Sequence, residues 1–68
     1  MTEIIFLIEN SDEGGFTGRA LGQSIFTEGE TLEELKENIK DAVKCHFNED
    51  TLPHIIRLHM VKDEVLAI

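Results

Sequence analysis

The chain predicts an α+β domain: an antiparallel three-stranded meander, one helix packed on the sheet, then one or two C-terminal strands, in the order β-β-β-α-β(β). Three observations carry this. A run of β-branched and aromatic residues opens the chain, glycine-rich bends separate it from further β-rich runs, and a single stretch has the 3.6-residue apolar period of a helix.

Residues 3–9, "EIIFLIE", read as a strand apolar on both faces and bounded by the turn-forming "NSDEGG". With Ile4, Phe6 and Ile8 turned to the helix, Ile5 and Leu7 lie on the other face and need a second cover, for which another copy of the chain is the leading candidate. Residues 15–21, "GFTGRAL", alternate Phe16, Gly18 and Ala20 with Thr17, Arg19 and Leu21, and "QSIFTE" supplies the third strand through Ile25 and Phe26. Gly22-Gln23 suits a type II′ corner between them, because glycine takes positive φ at the first central position without steric cost. The earlier corner, at "NSDEGG", is longer and looser.

Thr31 and Glu34 form a capping-box pattern that starts the helix. At 100° per residue, Leu32, Leu35, Ile39, Ala42, Val43 and His46 share a stripe with Phe47 at its edge, while Glu33, Glu34, Glu37, Asp41 and Cys45 lie away from it. Lys36, Lys40 and Lys44 flank the stripe, where their stems can cover its apolar border while the charges stay in water. Asn48, Asp50 and Pro53 end the helix. A last strand follows in "HIIRLHMV", and "VLAI" either prolongs it or folds back as a short fifth strand, the hairpin being favoured.

Length and charge limit what such a domain can do. Sixty-eight residues make one domain, 1–68, with barely enough apolar surface for a core, so self-association would help it. Fourteen acidic residues against six basic ones give a net charge of -8. That field repels a nucleic-acid backbone and favours a basic protein partner. Cys45 is the only cysteine, so no internal disulfide forms and a reducing cytoplasm is the expected location. The "MTEIIFLIEN" start has neither the basic region of a signal peptide nor the length of a membrane span.

The chemistry-bearing residues do not assemble into a catalytic pattern. "NSDEGGFTGRALG" has four glycines in thirteen positions, but they lead into a strand instead of a helix N-terminus, and Asp12 and Glu13 precede them; they are read as hairpin geometry, not a phosphate loop. Cys45 and His46 point about 100° apart as helix neighbours, which denies them a shared proton. His46 is expected to be partly buried near the helix C-terminus, where its charged form complements the dipole. His54 and His59, five apart on a strand, fall on opposite faces and make no zinc site. Arg57 and His59 share a face, either a solvent-facing strand edge or a contact for a partner's acids. Glu9 and Glu28 lie at strand ends and are nominal ligands for a metal-dependent nuclease, but lack a third.

Taken together, "FLIENSDEGGFTGRALG", "SIFTEGETLEELKENIKDAVKCHF" and "IRLHMVKDEVLAI" resemble the HicB-like antitoxin family in its short single-domain branch. The resemblance covers nearly the whole chain. It rests on the acidic Gly-Gly hairpin after the first strand, the "TEGETLEEL" approach to the helix and the "KDEVLAI" ending. It implies a truncated ribonuclease-H-like β-β-β-α-β unit without a working catalytic centre, and a partner resembling HicA, a small basic RNA-cleaving toxin. The helix-turn-helix or ribbon-helix-helix segment of longer members has no counterpart here, so operator binding is not implied. Some short relatives carry the name of a branched-chain 2-oxoacid dehydrogenase subunit, but no thiamine diphosphate motif supports that activity.

The expected function is therefore a non-enzymatic protein-binding domain, a cytoplasmic homodimer with no cofactor, catalytic residue or metal. Its acidic surface, including Glu33, Glu37 and Asp41, would neutralise a small basic RNA-cleaving toxin. The alternatives are a structural homo-oligomer or, less favoured, a residual metal-dependent nuclease using Glu9 and Glu28.

Overall fold

Strand β1 (Glu3–Asn10), apolar on both faces, is also paired on both edges. Strand β2 (Phe16–Ala20) runs antiparallel to it on one side, and β3 (Phe26–Gly29) continues the meander antiparallel to β2. After helix α1 (Leu32–His46), strand β4 (Ile55–Met60) returns to the free edge of β1 and lies parallel to it. The four-stranded sheet has the order β3-β2-β1-β4. These features come from a computed structural model that describes residues 2–62 and 64–68.

The element order β-β-β-α-β is the expected one, and the parallel β4 makes the sheet mixed. The crossover through α1 carries the chain from the β3 edge to the β1 edge. Pairing there gives the backbone of the most apolar strand hydrogen bonds on both sides, down to Val61 N–H donating to Ile8 O at 2.8 Å. No strand forms at Lys62 or at residues 64–68, so the favoured C-terminal hairpin is absent among the described residues. Instead Val65 and Leu66 stand in solvent.

The core follows the two periodicities. Ile4, Phe6 and Ile8 alternate out of β1 toward Leu35, Ile39 and Val43 of α1, and all six are buried together with Ala20 and Ile25. Leu32, Ala42 and Phe47 of the expected stripe are half-buried at its margins. His46 departs from expectation: it is exposed, its Nε2 lies 3.3 Å from Gln23 Oε1, and its ring meets Phe47 edge-on at 4.9 Å. His46 is one turn past the last buried helix residue, Val43.

Local chemistry seats the helix. Thr31 has extended backbone and its hydroxyl accepts from Glu34 N–H at 3.0 Å. Only this half of the capping box forms among the described residues. Phe47 N–H closes the last turn on Val43 O, and the Asn38 amide donates to Glu28 O at 2.8 Å, tying α1 to β3. Gly29 permits the closest approach: a Cβ there would lie 2.7 Å from Leu35 N and 3.0 Å from its Cα. In consequence the backbone of α1 comes closest to β3 and next to β2.

The β2–β3 corner is wider than a two-residue type II′ turn. Ala20 N–H donates to Ile25 O, which leaves residues 21–24 as the loop, although Gly22 does take a positive φ of 83°. Ile25 thereby swings into the core, and its burial is the reason for the extra length. Among the described residues no helix is long and apolar enough to cross a membrane.

Two substitutions test this seating. Gly29→Ala should cost roughly 1–3 kcal/mol in urea denaturation, since helix backbone must retreat to admit the methyl group; a cost near zero would show that the first turn does not press on β3. Thr31→Ala should cost about 1 kcal/mol and Thr31→Ser only a few tenths, because the serine hydroxyl still caps.

Candidate functional site

The glycine-rich bend closes on itself. Ser11 N–H donates to Gly15 O at 3.0 Å, Gly14 N–H to Ser11 O at 3.1 Å, and Glu13 N–H to Ser11 Oγ at 3.4 Å. Three amides that a phosphate loop would offer to an anion are therefore committed within the bend. Gly15 has φ 82° and stands so close to β3 that a Cβ would fall 2.6 Å from Gly29 O. The bend thus packs against the end of β3, as hairpin geometry requires.

Between this bend and the start of α1 lies a recess of about 620 Å³. Glu13 of the bend, Glu30 of the loop before the helix and Glu34 of its first turn line it, with Glu28 of β3 at its border on the sheet face that carries Phe26, and no lysine, arginine or histidine lines it among the described residues. Such a wall repels phosphate and suits a lysine or arginine side chain from another protein. The carboxylates do not draw into a metal shell: no cluster of three or more His, Cys, Asp or Glu with metal-holding geometry occurs among the described residues.

The acidic residues singled out from the sequence continue this surface along the helix. Glu33 and Glu37 are exposed on α1, but each carries its own counter-ion, Lys36 at 3.6 Å and Lys40 at 3.6 Å in i,i+3 pairs. Asp41 is exposed one turn further on. Pairs this exposed are weak, so a partner's cations can displace the lysines.

The open face of the sheet, opposite α1, is mixed in character. Strand register aligns Phe26, Arg19, Leu7 and His59 in one row, and Ile5 with Arg57 in another. Phe26 is 63% exposed and Ile55 53%, whereas Ile5 and Leu7 are half-covered by their neighbours. Arg57 and His59 share this face as expected, and the Arg57 guanidinium donates to the Glu3 carboxylate. His54 precedes β4 and donates its backbone N–H to Thr2 O, so the two histidines do not meet.

Glu9 and Glu28 lie in one row but with Thr17 of β2 between them. Two strand spacings separate their backbones by about 10 Å, far from the roughly 4 Å between ions in a two-metal centre. Cys45 is free and exposed beside an exposed His46. The recess was not readable from sequence, because its acids come from separate segments that only the packing of the bend on β3 and α1 assembles.

No family model matches the chain, and no solved structure matches it. Two relatives do. A UPF0150 protein of Archaeoglobus fulgidus is 58% identical over 52 residues, spanning 76% of this chain and 77% of its own length. A UPF0150 protein of Thermotoga maritima is 47% identical over 66 residues, spanning 97% of this chain and 93% of its own. With such identity along almost its full length, the chain belongs to the UPF0150 family.

Proposed function

We propose that the chain is a non-enzymatic protein-binding domain of HicB-like antitoxin type, which neutralises a small basic RNA-cleaving toxin by direct contact in the cytoplasm. The observation that carries this reading is the continuous acidic surface formed by the glutamate-lined recess and, beside it, Glu33, Glu37 and Asp41 on the outer face of α1. Glu34 belongs to the recess and is the helix neighbour of Glu33 and Glu37, so one basic partner can span both. The β-β-β-α-β order is the one the family resemblance implies.

The partner docks by charge. Its lysines and arginines enter the recess and replace Lys36 and Lys40 on the helix acids, and long-range attraction to a surface of net charge -8 speeds encounter. A second copy of the chain serves another need, since Phe26 and Ile55 leave apolar surface exposed on the sheet. Self-association without any other partner is the second reading, and that apolar surface favours it.

Capture from native cytoplasm, followed by titration of the captured basic protein, tests the first reading. Affinity should fall roughly tenfold or more between low and high salt. The combined Glu33→Gln, Glu37→Gln and Asp41→Asn variant should weaken binding while keeping its helical circular dichroism. Neutral replacements are chosen because a cation at position 33 would sit unfavourably in the first turn of the helix. Binding indifferent to both salt and substitution would sink the reading, and recovery of the chain alone would leave the structural dimer.

A further inference from the structure

The backbone of α1 approaches β3 and β2 most closely, and the helix-side face of β4 is only half-covered. Ile56, Leu58 and Met60 are in register with Ile4, Phe6 and Ile8, so they point to the same side as the core. Yet Ile56 and Leu58 are only half-buried and Met60 is 52% exposed. A groove of about 140 Å³ runs between helix and strand, with Ile39, Ile56 and Leu58 in its floor and the stems of Lys36 and Lys40 on its rim. It has room for a leucine or isoleucine side chain.

The same chain carries a segment of matching character. Beyond β4, Val65 is 92% exposed and Leu66 79%, with Ile68 also in solvent. The molecule is 52 Å long, whereas its 15-residue helix spans only about 22 Å and its longest strand about 27 Å. The end segment therefore projects from the body along the direction of β4 instead of lying back over it. Three aliphatic side chains this exposed, on a domain this small, are unsatisfied surface.

We propose that residues 64–68 of one copy occupy the α1–β4 groove of a second copy, and that the exchange is reciprocal. This inference rests on the reading that the chain self-associates, and it specifies the segment that joins the copies. β4 is an edge strand, so an incoming extended segment finds unpaired backbone groups as well as an apolar floor. Side chains alternate along that segment: Leu66 enters the groove, Ile68 lies on the same side beyond its end, and Val65 faces the side of exposed Ile55. Glu64, just ahead of the apolar residues, brings a carboxylate to the rim held by Lys36 and Lys40.

One donor and one acceptor on each copy close under a two-fold axis, giving a dimer and not a filament. Leu66 and Ile68 of each segment contribute on the order of 100 Å² apiece, and the half-buried Ile56 and Leu58 that receive them add less. Two exchanges then hide on the order of 500–1,000 Å² of apolar surface, the range of a weak, concentration-dependent interface. Both copies are acidic, so added salt screens their repulsion and strengthens this contact, opposite to its effect on a basic partner.

Sedimentation of the full chain gives the first readout. Wild type should run at twice the chain mass and hold or tighten with salt. Leu66→Glu, at a solvent-exposed position that leaves the core untouched, should raise the dimer dissociation constant roughly tenfold or more by forcing a carboxylate into the groove. Single-cysteine chains give the second. With Cys45→Ser as background, an oxidised mixture of Leu66→Cys and Lys40→Cys copies should form the mixed disulfide between chains. A Leu66→Glu chain that still dimerises overturns the exchange but leaves self-association standing, whereas a monomeric wild type overturns both. A disulfide formed within one chain carrying both cysteines, at low concentration, places the segment in its own groove and overturns the exchange alone.

Discussion

The contact between Gly29 and the first turn of α1 governs where everything else lies. With no side chain at the end of β3, the helix backbone at Leu35 comes to a distance that any Cβ would forbid. The helix then anchors over β3 and β2, secured by the Asn38 bond to Glu28 O and the Thr31 cap. From that seat Leu35, Ile39 and Val43 reach across to β1, and the stripe closes the core. The far strand, β4, is left with its upper side half-covered. A side chain at position 29 would lift the first turn and move the recess, the core and the groove together.

The molecule divides its surface by chemistry. Acids gather around the glycine bend and on the outer face of the helix; exposed aliphatic and aromatic groups lie on the sheet and beyond its edge strand. A net charge of -8 acts oppositely on the two kinds of association. It draws a basic partner to the acidic end, and it opposes pairing of like copies, which must therefore rest on apolar burial. Only six basic residues are present, and two of them, Lys36 and Lys40, are engaged with helix acids beside the groove.

Much of the fold was legible in the order of residues, for reasons that can be named. The alternation in "EIIFLIE" and the spacing of Leu35, Ile39 and Val43 are local periodicities, and burial followed them. The glycines of "NSDEGGFTGRALG" were separable from a phosphate loop because a strand follows them, and the amides of Ser11, Glu13 and Gly14 close on the bend itself. His46 was misjudged because helical phase alone placed it on the stripe; it is exposed beside the β2–β3 corner, with its ring nitrogen near Gln23. The two-residue corner at Gly22 failed for a similar reason. Glycine identified the positive φ, but the burial of Ile25 set the length of the loop.

The sequence by itself determined the elements, the buried face of each and the sign of the electrostatic field, because these depend on neighbours within a turn of helix or a pair of strand residues. Only the tertiary structure decided that β4 lies parallel beside β1, that glutamates from separate segments share one recess, and that an apolar groove stays open beneath the lysine row. Each depends on where the crossover helix comes to rest. That position is set by contacts between residues far apart in the chain, chiefly the bare backbone of Gly29 against Leu35 and of Gly15 against Gly29, and no local periodicity encodes such a distance.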